Sequence, residues 1–145
     1  MRLLPRLFAV IAACSFFPAA HAACNPASIA GWFAAGGAGA YYGDPDLVVG
    51  VARIGFNGVN AVTVTNYTQG QVGGVTNFTG TGTYTLDAWC RGTATIALKQ
   101  GATAAGTIYL TFVVAGTPAS PVVSGLVSNP AAGFTGTLHL EKIGL

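Results

Sequence analysis

Few side chains in this sequence are equipped for chemistry. After the first 22 residues the chain holds one histidine, His139, four serines (Ser28, Ser120, Ser124 and Ser128) and four carboxylates (Asp44, Asp46, Asp87 and Glu141). A hydrolase or transferase needs a nucleophile, a base and a group that orients the base. No serine stands in a G-x-S-x-G motif, and the lone histidine leaves one candidate base. His139 and Glu141 are two residues apart, so on an extended chain they share a face and offer two metal ligands, but no second histidine or thiolate follows at ligand spacing. Asp44-Pro45-Asp46 reads as a turn, because aspartate beside proline favours chain reversal. The residues thus name no catalytic group, no metal site and no cofactor, and the balance is against an enzyme without closing the question. The remaining candidates are aromatic. Trp32, Tyr41, Tyr42 and Trp89 are of the type that lines an apolar ligand cavity, or that plugs the end of a narrow barrel.

Charge narrows the partners. Arg2 and Arg6 lie in the leading segment; the rest of the chain carries Arg53, Arg91, Lys99 and Lys142 against Asp44, Asp46, Asp87 and Glu141, which sums to zero. No basic patch is left to draw the domain to nucleic acid or anionic lipid. So few charges give little repulsion between copies, which makes self-association a candidate behaviour.

The leading segment has three parts: Met1-Arg2-Leu3-Leu4-Pro5-Arg6, an apolar run from Leu7 to Phe17, and Pro18-Ala19-Ala20-His21-Ala22-Ala23. A basic start, a short apolar stretch and an A-x-A site form an export signal, with the cut expected between Ala22 and Ala23. The apolar run is too short for a permanent span of a bilayer core of about 30 Å. Residues 1–22 are therefore read as signal peptide and residues 23–145 as a single domain, secreted or periplasmic. Ile11-Ala12-Ala13-Cys14 has the form of a lipobox, so a lipid anchor through Cys14 is the alternative. Export places Cys24 and Cys90 where disulfides form, and their pairing is expected.

The elements that would position these residues are strands. No long segment carries the 3.6-residue apolar period of a helix, whereas alternation of period two recurs. Phe134, Gly136, Leu138 and Leu140 face one way, and Thr135, Thr137, His139 and Glu141 the other; Thr107 to Val114 and Thr93 to Lys99 repeat the pattern. Between the turn signals lie eight strands: Ile29 to Ala35, Leu47 to Phe56, Val59 to Gln71, Val75 to Leu86, Arg91 to Lys99, Gly106 to Ala115, Pro121 to Val127 and Phe134 to Ile143. Asn57-Gly58 is expected to form a two-residue hairpin turn. Gly36 to Asp46 reads as a long loop at one mouth. The fold class is all-β, with about eight antiparallel strands in an up-and-down barrel and a β-sandwich as the alternative.

The segment Gly82-Thr83-Tyr84-Thr85-Leu86-Asp87-Ala88-Trp89-Cys90-Arg91-Gly92-Thr93-Ala94-Thr95 resembles the central hairpin of a family of small secreted bacterial proteins of unassigned function, with the pattern G-T-Y-T, often a cysteine, then G-T-x-T. Ile54-Gly55-Phe56-Asn57-Gly58-Val59 is similar to that family's preceding strand and turn. The resemblance implies a calycin-like barrel, akin in architecture to lipocalins and allene oxide cyclases, and it brings no catalytic residues. Trp89 beside the cysteine and a tyrosine-bearing first loop depart from the common pattern.

Three function classes follow. The first is an exported, non-enzymatic barrel that binds a small apolar ligand or a protein partner. The second is an isomerase or cyclase with a shaped apolar cavity, for which a cavity beside Asp87 or Arg53 would be the sign. The third is an outer-membrane or self-associating structural barrel. No integral membrane span is expected in the mature chain on the first two readings.

Overall fold

The structure, a computed structural model, describes residues 23–44, 46–71 and 73–143. Residues 1–22, with the expected signal, Cys14 and Ala22, lie outside them. Eight strands follow one another: β1 (Gly31–Tyr41), β2 (Val48–Phe56), β3 (Ala61–Gln71), β4 (Gly74–Leu86), β5 (Arg91–Gln100), β6 (Thr103–Thr117), β7 (Ser120–Asn129) and β8 (Phe134–Lys142). Each is antiparallel to the next, and β8 returns to pair with β1, from Phe33 opposite Lys142 to Tyr41 opposite Phe134. The sheet is a closed up-and-down barrel, which removes the sandwich alternative, and closure leaves no unpaired edge.

Alternation decides which side chains fill it. Along β5, Gly92, Ala94, Ile96 and Leu98 are buried while Arg91, Thr93, Thr95 and Ala97 are exposed. Outside, threonines face one another across strands: Thr83 is opposite Thr95 and Thr85 opposite Thr93, whose hydroxyls lie 3.0 Å apart. The glycines in the Phe78 to Thr85 run permit close approach of chains. A Cβ on Gly82 would strike the Thr95 carbonyl oxygen and stand 2.8 Å from the Ile96 Cα, so this inward position takes no side chain.

The two ends of the barrel differ. At the end where β1, β3, β5 and β7 begin, a single 3-10 turn (Pro26–Ile29) closes the opening. Asn25 caps it, its side chain accepting from the Ala27 amide while Ser28 Oγ accepts from the Asn25 amide. Ile29 is fully buried in the core. The Tyr84 hydroxyl, on a residue only 2% exposed, donates to the Pro26 carbonyl at 3.0 Å. A Cys24–Cys90 disulfide, with Cα atoms 5.0 Å apart, ties this plug to the β4–β5 loop. Beneath it Phe56 packs edge-on against Phe33 and Tyr84, at 5.6 and 4.9 Å, and lies 6.2 Å from Phe112. This half of the barrel is filled by side chains.

Three local expectations need correction. Ile29 belongs to the plug, and β1 begins at Gly31. β1 then runs on to Tyr41, so the loop expected from Gly36 shrinks to the residues after Tyr41. Glycine and alanine carry no hydrophobic alternation to read, yet they let the chain lie close to β8, where a Cβ on Gly37 would strike the Thr137 carbonyl oxygen. The Asn57-Gly58 connection is a four-residue loop, because one acceptor organises it. Asn57 Oδ1 takes the amides of Val59, Asn60 and Ala61, all at 2.9 Å, and the Asn57 amide donates to the Ala61 carbonyl. Only Gly58 there has positive φ, 80°. Asp87 heads the next loop at that end in the same way, with Oδ1 accepting from the Trp89 and Arg91 amides. Those bonds, the Arg91 amide first, hold its carboxyl below the usual aspartate value.

Candidate functional site

The half of the barrel away from the plug is hollow. A half-enclosed, almost wholly apolar cavity of about 60 Å³ lies there, walled by residues of β1, β2, β3, β6, β7 and β8. Its origin is a block of small residues facing inward on two neighbouring strands. Gly37 is paired with Gly50, and Ala35 with Ala52. Where the other strands send in Leu110, Val127 and Leu138, this block sends in almost nothing. The space is not collapsed, because the strands are fixed at ladder spacing and the side chains opposite cannot reach across.

A bulge in β3 builds the rim. Asn66 adopts φ 53°, and the pairing of β3 with β4 shifts register between Val64 and Tyr67. Asparagine is among the few side chains that tolerate this left-handed conformation. The shift turns Tyr67 toward the cavity, where its ring rests on Gly50: a Cβ there would stand 2.8 Å from Tyr67 Cε2. Tyr67 also packs against Phe78 at 5.4 Å, and across the mouth Tyr41 packs on Phe134 at 5.2 Å. Polar groups join the two. The Tyr67 hydroxyl donates to Gln69 Oε1 at 3.0 Å, and Gln69 Nε2 donates to the Tyr41 hydroxyl at 3.0 Å. Beside them Gln71 Nε2 donates to Asp44 Oδ2 at 3.0 Å, and Asp44 Oδ1 accepts from the Asp46 amide. Burial, then the neighbouring Tyr41, raises the pKa of Tyr67 above the ordinary tyrosine value, so the phenol is neutral at neutral pH. An apolar hollow beneath a hydrogen-bonding rim of phenols and amides is a place that can hold a molecule.

The four aromatic candidates do not converge. Tyr41 alone reaches this rim. Tyr42, on the same mouth, is 96% exposed, with its amide donating to the Gly133 carbonyl. Trp32 lies toward the plugged end on the outer face, its ring over Gly55 and under the Arg53 guanidinium at 4.4 Å. Trp89 is 80% exposed in the loop beside Cys90. The residues that complete the site, Tyr67, Gln69 and Phe134 with the small residues Gly50 and Ala52, carry one legible signal: Tyr67-x-Gln69-x-Gln71 alternates on a strand and puts polar groups on one face. Asp87 and Arg53 are away from the cavity, the first bound to Arg91 at the opposite end and the second outside.

One other cluster has the composition of a catalytic site. On the outer surface of β7 and β8, Ser124 Oγ lies 3.1 Å from His139 Nδ1, and His139 Nε2 lies 3.4 Å from Glu141 Oε1. His139 and Glu141 are 55% and 72% exposed. The strands beneath are paired on both sides, which leaves no backbone N–H to receive an oxyanion, and the cavity described above is not lined by these residues. Without an oxyanion site or exclusion of water, the trio is a solvated polar ladder.

No family model matches the chain, and neither a curated protein nor a solved structure matches it.

Proposed function

We propose that this protein is an exported, non-enzymatic barrel that holds the apolar end of a small ligand in its open mouth. The observation that carries this reading is the hollow itself: paired small residues on β1 and β2 keep open an apolar space that larger side chains would fill. An apolar cavity of roughly 150 Å³ takes benzene. By proportion, 60 Å³ receives two or three carbon atoms. At about 0.8 kcal/mol per buried methylene these contribute roughly 2 kcal/mol, a factor of about thirty in affinity. The rest of the binding energy has to come from contacts at the rim.

Export rests on the signal-like first 22 residues, and the Cys24–Cys90 disulfide fits an oxidising compartment outside the cytoplasm. The closed eight-stranded barrel is consistent with the calycin-like architecture that the Gly82 to Thr95 segment resembles. A cyclase reading would draw on Asp87 or Arg53, and neither faces the cavity. A barrel standing in an outer membrane carries an apolar band outside and polar groups inside. The apolar core and the threonine, lysine and arginine on the outer faces of β4 and β5 support a barrel in water, while β2, β6 and β7 expose Val49, Val51, Tyr109, Val113 and Leu126.

Native mass spectrometry of the protein purified from the exported fraction without detergent tests this reading. It predicts a chain starting at Ala23, two hydrogens short, carrying a small organic adduct that collisional activation removes. A bare chain that also takes up no short-chain compound when one is added would count against it.

A further inference from the structure

If the mouth holds a ligand as proposed above, the rim sets what the ligand's head must be. Tyr41, Gln69 and Tyr67 are three groups joined by two hydrogen bonds. As the Gln69 amide stands, Tyr67 gives its hydroxyl hydrogen to Oε1, and Tyr41, which accepts from Nε2, keeps its own. With the amide turned over, Oε1 accepts from Tyr41 and Nε2 donates to Tyr67, so Tyr67 keeps its hydrogen. In either orientation one phenol O–H and one amide N–H are left over, and both are donors. Among the described residues no acceptor is bonded to the Tyr41 hydroxyl. The rim therefore presents paired donors above an apolar hollow.

The charges at the same mouth restrict the acceptor. Asp44 follows Tyr41 closely, its amide donating to the Tyr41 carbonyl at 3.1 Å, and Asp46 is bound to Asp44. A carboxylate head would meet these two like charges and lose hydration as it did so. An ammonium head would be drawn to the same carboxylates, whose oxygens keep free lone pairs, but it would leave the Tyr41 O–H and the spare Gln69 N–H without an acceptor. A neutral oxygen acceptor pairs with those donors and meets no like charge.

We infer that the mouth takes a short-chain molecule with a neutral carbonyl head, a ketone, ester or amide. Its oxygen is received by the Tyr41, Gln69 and Tyr67 group, and its last two or three carbons occupy the hollow between β1 and β2. Four probes of one chain length separate the parts: hexane, 2-hexanone, hexanoate and hexylamine, titrated into the isotopically labelled exported protein and followed by NMR. The expected result is that hexane and 2-hexanone both shift resonances of Ala35, Ala52 and Val127, and that 2-hexanone binds at least tenfold more tightly than hexanoate or hexylamine. Tyr41→Phe or Tyr67→Phe, at least one of them, should weaken 2-hexanone about fivefold, the worth of one neutral hydrogen bond, and leave hexane unchanged. Hexanoate or hexylamine binding as tightly as the ketone would overturn the assignment of the head. So would a ketone affinity that both variants leave intact in a folded protein. In those two cases a shift with hexane preserves the ligand reading; no shift with any probe removes that reading as well.

Discussion

Filling the hollow should stabilise the protein and abolish binding together. Ala52 faces Ala35 across β1 and β2, and both line the cavity of about 60 Å³. Ala52→Val adds two carbons, close to what the space holds. Residual cavity volume costs about 24 cal/mol per Å³, so closing this one is worth up to about 1.4 kcal/mol. Valine is also favoured in a strand, and its stiff χ1 is the main route to a smaller gain. For a domain of this size the gain corresponds to a rise in Tm of roughly 5 °C. The assay pairs thermal unfolding by circular dichroism with the hexane and 2-hexanone titrations. An optimised structural core has no reason to keep a removable hollow, whereas a binding site does, at a cost in stability. If the variant lost stability while still binding both probes, the residues assigned to the cavity would be wrong. If it became more stable with binding unchanged, the hollow would be a packing defect without function.

Three further outcomes test the frame around the site. Reducing the Cys24–Cys90 bridge, or replacing both residues by serine, should cost about 4 kcal/mol by loop-closure reasoning for 66 residues of separation, read as a lower urea midpoint. Tyr84→Phe removes the bond to the Pro26 carbonyl and should cost about 1 kcal/mol at neutral pH. Burial raises the Tyr84 pKa above that of the unfolded chain, so its protonated form is favoured on folding. That stabilisation is full below the ordinary tyrosine value near 10 and is lost as pH rises through the raised value. Urea midpoints should therefore fall more steeply above pH 10 in the wild type than in Tyr84→Phe; equal slopes would contradict the burial. Gly82→Ala drives a Cβ into the β5 backbone and should destabilise by roughly 3 kcal/mol, seen as lost soluble yield or a collapsed Tm.

How much of this was legible in the sequence differs by element. Strands with large side chains declared themselves: Ile96 and Leu98 against Thr95 and Lys99, or Leu138 and Leu140 against His139 and Glu141, alternate with the period that the barrel uses. The end of β1 did not, since Gly36, Gly37, Ala38 and Gly39 offer no contrast between faces. What makes them a strand is pairing with β2 and β8, a long-range fact. The same silence hid the site. A hollow is made by side chains that are absent, and Gly50 and Ala52 take on meaning only when they are seen opposite Gly37 and Ala35. Tyr67 was hidden for another reason: the bulge at Asn66 changes which face follows it, and neither an asparagine tolerant of positive φ nor the Tyr67-x-Gln69-x-Gln71 alternation marks where a bulge falls. Tyr41 was found by its aromatic character, which equally drew in Trp32 and Trp89 from the far end of the barrel. The disulfide needed only two cysteines and the expectation of an oxidising compartment.

The central claim, that the open mouth is an accessible apolar hollow, is tested most directly with xenon, which needs no knowledge of the natural ligand. Methyl NMR of the protein under rising xenon pressure should show saturable shifts at Val48, Val64, Val127 and Leu138, and Ala52→Val should abolish them. Shifts confined to outward residues such as Val49, Val113 and Leu126, or none that saturate, would contradict it.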